Sequence, residues 1–257
     1  MKILFSDVDG TLIEKGQAIS TKNLDKMKEM QEKGHKIALC TGRNHIDIQP
    51  VLNNIEIPYD YLVLCNGSYI SDATGKVLFE EHLSKELGTK IIHHLLKDPN
   101  IVVAFCYDKG CPVYAKGQTK ILGLNGLEDC EDDFLDLLET VDKFYMLSIH
   151  YKDLNVDMIK KVAQELTTLY PEIETHLNQQ YVDIAPLGHS KGTGLQTLLK
   201  IIGPVEKSFA IGDSYNDLPM INAADCGATF PYALQDIQDQ ADEVVSYVYE
   251  FIDDQIL

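Results

Sequence analysis

Arginine is nearly missing from this chain. Among 22 lysines and arginines in 257 residues, Arg43 is the one arginine. Acidic residues outnumber basic ones, 40 to 22, and the formal net charge is −18. Nucleic acid and anionic membrane surfaces are therefore excluded as expected partners, because phosphate backbones are held mainly by Lys and Arg. A small phosphorylated ligand is not excluded, since a metal ion and a few placed cations reverse the potential locally. Long apolar runs are absent too. None approaches the roughly 18 residues of a membrane span, and acids in MKILFSDVDG break the apolar core a signal peptide needs. The expectation is a cytoplasmic protein. The six cysteines contain no CxxC pair and the eight histidines no HExxH, so neither a zinc site nor a thioredoxin-like site is suggested. Cys40, Cys65, Cys106, Cys111, Cys130 and Cys226 read as buried, reduced thiols.

Apolar strands alternating with helical stretches occupy the first part of the chain. KILFS reads as a buried strand, 21–33 as a helix closed by Gly34, KIALCT as a second strand, IDIQPVLNNI as a helix and YLVLCNG as a third strand. That alternation implies a parallel α/β sheet. From about residue 85 the order changes to α-β-β-α-β-α-β-β, which suggests an antiparallel sheet with helices on one face. After Pro186 the parallel texture returns with GTGLQTLLKII, SFAIGD, DLPMINAA, CGATF and EVVSY. The simplest architecture is a discontinuous core, 1–82 plus 187–257, with a lid-like domain, 83–186, inserted between. There is no internal repeat and no low-complexity tract.

Four short segments stand at the ends of the expected parallel strands or open a helix beside them, where ligands of open α/β sheets bind. They are Asp7-Val8-Asp9-Gly10-Thr11, Thr41-Gly42-Arg43, Lys191-Gly192 and Gly212-Asp213-Ser214-Tyr215-Asn216-Asp217. Asp7 and Asp9 at one strand end repel each other unless a cation lies between them or one keeps its proton. Alone, Asp9-Gly10 is equally a turn signal. The second acidic pair, Asp213 and Asp217, follows another apolar strand. Carboxylates converging on one sheet edge suit Mg²⁺, which takes oxygen ligands and retains several waters. The Thr41 hydroxyl and the Gly42 amide suit a phosphoryl oxygen at a strand-to-helix turn, or a helix cap. Lys191 offers a fixed positive charge at a helix start. Asn216 suits either a phosphate contact or an Asx turn.

The ordered set DVDGT, TGR, Lys-Gly and GDSYND strongly resembles the haloacid dehalogenase (HAD) superfamily, and more narrowly its Cof-type subfamily IIB with the large C2B cap. The motifs span residues 7 to 217. The resemblance implies an α/β, Rossmann-like parallel-sheet core with an inserted α+β cap. It implies a Mg²⁺-dependent phosphoric monoester hydrolase acting on small phosphorylated metabolites such as sugar phosphates. Asp7 would be the nucleophile that forms an aspartyl-phosphate, and Asp9 the general acid and then base. Thr41, Gly42, Lys191, Asn216 and the Val8 backbone amide would hold the phosphoryl group. Asp7, the Asp9 carbonyl and Asp213 would ligate Mg²⁺, with Asp217 behind them. Arg43 would order the Thr41 turn or face the substrate. The chain departs from many relatives at Thr229-Phe230-Pro231-Tyr232-Ala233, where they carry a Met-Gly-Asn-Ala run. The Asn contact of that run does not carry over, and Tyr232 packs against the site or shapes the loop.

Two other readings share these residues. A phosphomutase of this cap type uses cap arginines to grip a second phosphate. Here the cap offers only lysines (Lys109, Lys116, Lys120, Lys143), which lack bidentate geometry. A phospho-receiver also carries an Asp at a strand end, but the general acid Asp9 and the large insert favour turnover. Tyr107, Tyr114, Tyr145 and His150 are the cap's candidate lining residues. A monomer or small homo-oligomer is expected.

Overall fold

The computed structural model describes residues 1–13, 19–115 and 131–257. In chain order it begins with β1 (Lys2–Asp7), α1 (Thr21–Glu32), β2 (Lys36–Cys40), α2 (Gln49–Asn54), β3 (Tyr61–Leu64), β4 (Tyr69–Asp72) and β5 (Val77–Glu80). Next come β6 (Leu83–Ser84), α3 (Lys85–Leu95), β7 (Ile101–Cys106), β8 (Val113–Tyr114), α4 (Glu131–Thr140) and β9 (Lys143–Phe144). They are followed by β10 (Met146–Tyr151), α5 (Val156–Leu169), β11 (Ile173–Asn178) and β12 (Tyr181–Pro186). The chain ends with α6 (Lys191–Ile202), β13 (Lys207–Ile211), α7 (Leu218–Ala223), β14 (Cys226–Thr229), α8 (Gln235–Gln238), β15 (Glu243–Val244) and α9 (Val248–Phe251). It divides into two compact units, Met1–Glu80 with His189–Leu257, and Glu81–Gly188.

The first unit is built on an eight-stranded sheet of order β15-β14-β13-β1-β2-β3-β4-β5. β1 lies at its centre, parallel to β13 on one side (Phe5 opposite Ala210) and to β2 on the other (Phe5 opposite Ala38). Its residues Ile3, Leu4 and Phe5 are all fully buried, which is why KILFS is an unbroken apolar run and not an alternating one. From β1 the chain winds one way through β2 and β3. From β13 it winds the other way through β14 and β15. The junction of β1 and β13 is thus the topological switch point, where a crevice opens at the strand ends.

Two local features differ from the expectation. β4 and β5 add an antiparallel edge to the parallel sheet. The short turn Cys65–Gly67 after β3 leaves no room for the crossover that a parallel strand needs. The helix expected over 46–55 begins only at Gln49, with Pro50 in its first turn. Upstream, the Asn44 side-chain oxygen accepts from the amides of Ile46 (2.6 Å) and Asp47 (3.0 Å). That Asx turn captures the amides a longer helix would use.

The second unit is an antiparallel sheet of order β11-β12-β10-β7-β8. Helices α3, α4 and α5 cover one face: Ile91, Ile92, Phe134, Leu138, Ile159 and Leu166 pack with Val103, Phe105, Leu147, Ile149, Val182 and Ile184. The α+β reading of this segment agrees with that arrangement. The reduced state expected for two of its cysteines does not. Tyr107 and Gly110 pair across the turn between them, bringing the Cα atoms of Cys106 and Cys111 to 4.4 Å in a disulfide. Cys40, Cys65 and Cys226 are buried free thiols, and Cys130 lies outside the described residues. Among the described residues, no helix is long and apolar enough to cross a membrane.

Candidate active site

Asp7 is the last residue of β1 and is 4% exposed. The chain then turns sharply. The amides of Leu12 (3.1 Å) and Ile13 (2.9 Å) both donate to the Val8 carbonyl, and Gly10 N–H donates to the Ile13 carbonyl. Gly10 sits at φ +97°, and a Cβ there would press into the Asp213 carboxylate. Glycine is therefore required twice over: for its backbone conformation and for the close approach of Asp213.

Lys191 is the first residue of α6. Ser190 and Thr193 form a reciprocal capping box: Ser190 N–H donates to Thr193 Oγ1 (2.8 Å) and Thr193 N–H donates to Ser190 Oγ (3.2 Å). Such a box fixes the start of a helix. Gly192 allows close approach here, since a Cβ would collide with the Pro219 carbonyl. The result is a lysine with 1% exposure whose ammonium donates to Asp7 Oδ1 (2.7 Å) and Asp217 Oδ1 (2.6 Å). Charge-assisted bonds of this length are strong.

Asp217 is fully buried and uses both its oxygens. Oδ1 takes the lysine, while Oδ2 accepts from the amides of Asp213 (3.1 Å) and Ser214 (3.0 Å). It therefore shapes the loop that carries Asp213. Asp213 lies near Thr11, whose hydroxyl is 3.4 Å from Asp213 Oδ1. Asp7, Asp213 and Asp217 offer carboxylate oxygens that all lie within 4.8 Å of one another. Burial holds the Asp7 carboxyl well above the usual carboxylate range, with Asp217 and Asp213 adding to the rise against the pull of Lys191. For Lys191 burial works against the charge, but Asp217 and Asp7 overcome it and hold the ammonium above its ordinary range.

A divalent cation fits this arrangement. Asp7 and Asp217 share one ammonium, so their ionisation leaves an excess of one negative charge in a buried space. Asp7 Oδ2 is buried with no hydrogen-bond partner, an arrangement that costs free energy unless something binds there. The donor set is all oxygen, which suits Mg²⁺ better than zinc. Asp7 and Asp213 are the residues placed to hold such an ion; the Asp217 oxygens are already engaged.

Thr41 lies at the end of β2, 2% exposed, with its amide donating to the Val63 carbonyl (2.9 Å). Its hydroxyl oxygen accepts from the Arg43 amide (3.1 Å), and Gly42 lies between them. Asn216 is buried in the one-turn helix Tyr215–Asp217, its amide nitrogen 3.4 Å from Asn66 Oδ1. Asp9 stands apart from the triad. Its side chain is 46% exposed and both its oxygens accept from Arg43: Nε to Oδ2 at 2.7 Å and Nη2 to Oδ1 at 2.8 Å.

One buried residue of the site lies outside the sequence motifs. Asn66 is fully buried in the left-handed region (φ 51°) at the end of β3; an Asn-Gly pair after an apolar strand was the available signal. Arg43 pairs with Asp9 across 34 positions of sequence, for which no local pattern exists. Tyr232 touches the turn that carries Asp9: its hydroxyl donates to the Gly10 carbonyl (2.6 Å), and its ring stacks on Phe230. Among the cap candidates, Tyr107 and Tyr114 pack against the helix-covered core, and Tyr145 donates to Asp108 Oδ1 (2.6 Å). His150 is buried edge-on to Tyr181. Lys143 lies over the Tyr145 ring, and Lys116 and Lys120 fall outside the described residues.

Several known proteins are similar to this chain in sequence and fold. A Bacillus subtilis 5-amino-6-(5-phospho-D-ribitylamino)uracil phosphatase is 25% identical, covering 94% of this chain and 91% of its own. A solved HAD subclass IIB sugar phosphatase superposes with a TM-score of 0.80 at 20% identity, over 98% of this chain and 95% of that one. A solved haloacid dehalogenase-like hydrolase from B. subtilis also gives 0.80 at 20% identity, over the full length of both. The model of the haloacid dehalogenase-like hydrolases matches residues 4–250. The chain belongs to that family of hydrolases, as a phosphatase of the HAD type.

Proposed function

We propose that this phosphatase is Mg²⁺-dependent, hydrolyses phosphate esters of small metabolites of the sugar-phosphate kind, and uses Asp7 as its nucleophile. The observation that carries the reading is the state of Asp7: one oxygen bonded to a buried lysine at 2.7 Å, the other buried and unpartnered. A carboxylate held in one orientation by Lys191 is positioned to attack phosphorus, and phosphoryl transfer depends mostly on positioning and charge neutralisation. A bound Mg²⁺ would supply positive charge for the phosphoryl oxygens.

In the first step an Asp7 oxygen bonds to phosphorus, the ester P–O bond breaks, and the leaving alkoxide takes a proton from Asp9. In the second, water attacks the aspartyl-phosphate, Asp9 takes its proton, and the Asp7–phosphorus bond breaks to release phosphate. Thr41, Gly42, Asn216 and the Val8 amide surround the phosphoryl group in this reading, and Lys191 neutralises it. The substrate class rests on the relatives, whose names put phosphate on a sugar or a ribityl group.

The test is phosphate release from a panel of phosphorylated metabolites, with Mg²⁺ or with EDTA, beside Asp7→Asn. Wild type should release phosphate only with Mg²⁺, and Asp7→Asn should not. Release by Asp7→Asn at the wild-type rate would overturn the nucleophile. Full activity in EDTA would overturn the metal.

A further inference from the structure

The lone arginine of this chain is spent on Asp9. Its guanidinium meets the carboxylate in a two-bond fork, Nε to Oδ2 (2.7 Å) and Nη2 to Oδ1 (2.8 Å). The arginine is anchored in turn: Nη1 donates to the Asp47 carbonyl (3.1 Å). That carbonyl belongs to the Asx turn in which buried Asn44 accepts from the amides of Ile46 and Asp47 and donates to Asp47 Oδ2 (2.8 Å). A chain of support thus runs from Asn44 through Asp47 and Arg43 to Asp9. The Arg43 amide is tied separately, to Thr41 Oγ1, so the side chain is free to serve a second purpose.

We propose that Arg43 is the positioning residue of the general acid and base: it fixes the Asp9 carboxylate on the solvent side of Asp7, where a leaving group departs. Asp7 is 4% exposed, whereas the Asp9 side chain is 46% exposed. A half-exposed aspartate on a glycine turn would otherwise sample several rotamers, and general acid–base catalysis depends on holding the group within hydrogen-bond reach of its proton partner. The bidentate fork supplies direction, which a lysine does not. This places Arg43 in contact with Asp9 and not with substrate. The inference rests on the reading of Asp9 as acid and base.

The test compares esters that differ in their need for a proton. A sugar alkoxide leaves only if protonated, whereas p-nitrophenolate leaves as a stable anion. The constant to compare is kcat/KM, since it includes loss of the leaving group but not the later hydrolysis of the aspartyl-phosphate. For the sugar phosphate turned over fastest by the wild type, Arg43→Ala should lower kcat/KM by about 10²-fold, the lower range for a general acid. For p-nitrophenyl phosphate the change should stay within about threefold, since little general-acid help is needed there. Arg43→Lys, which keeps the charge without the fork, should remain at least about tenfold down on the sugar ester. Thermal melts establish that each variant is folded. Equal losses on both esters, a rise in KM alone, or full rescue by lysine would each overturn the proposal. Wild type that releases phosphate from neither ester would overturn the phosphatase reading itself, a distinguishable result.

Discussion

Lys191→Met replaces the ammonium at the centre of the buried carboxylates with an apolar group of similar length. Two charge-assisted bonds, at 2.7 and 2.6 Å, are lost, and Asp7 and Asp217 remain buried without their cation. Removing one partner of a buried ion pair costs about 3–5 kcal/mol, chiefly from the charge left behind. For a chain of this size that corresponds to a melting temperature lower by about 10 °C. The measurement is a urea titration in EDTA followed by far-ultraviolet circular dichroism, since the chain has no tryptophan. The loss should also depend on pH with a defined sign. Burial already raises the Asp7 carboxyl, and Lys191 pulls it down, so the variant raises it further. A carboxyl raised in the folded state contributes stability that is present below its ordinary value of 3.8 and is lost as pH rises through the folded value. The deficit of Lys191→Met against wild type should therefore be small near pH 4 and grow toward neutrality. Adding Asp7→Asn should recover part of it, because the two side chains touch. A deficit below about 1 kcal/mol, the cost of an exposed pair, that does not vary with pH would refute the reasoning.

Gly10→Ala should weaken Mg²⁺ binding by about tenfold in calorimetry, since a positive φ at a residue with a Cβ costs about 1–3 kcal/mol and the new methyl displaces Asp213. Tyr232→Phe should cost roughly 0.5–1.5 kcal/mol in the same urea titration, the value of one hydrogen bond, by releasing the Gly10 carbonyl. Burial pushes His150 down to about 4 from 6.5. Its contribution is fully present above pH 6.5 and is lost as pH falls toward and through about 4. His150→Gln should therefore lose less stability than wild type between pH 6.5 and 4, by up to about 3 kcal/mol at 1.36 kcal/mol per pH unit; parallel pH curves would refute this.

The sequence by itself determined the sheet core and, through the family its ordered motifs resemble, the reaction class. KILFS before Asp7 and SFAIG before Asp213 are apolar because β1 and β13 are covered on both faces, so the strands and the acids at their ends are visible as one pattern. Lys191-Gly192 is legible as a helix start, while the Ser190–Thr193 capping box that fixes it is seen only in the structure. What the tertiary structure decided depends on partners distant in sequence. Cys106 and Cys111 are bridged because a four-residue turn sets their strands opposite each other, which cysteine spacing alone did not announce. β4 and β5 run antiparallel because the turn after β3 is too short for a crossover. Asp217 shapes its loop, since Lys191 engages one of its oxygens and two loop amides the other. Arg43 reaches Asp9 across two strand ends joined only by the sheet, a contact set by the register of β1 against β2 and by the Asn44 turn beneath it.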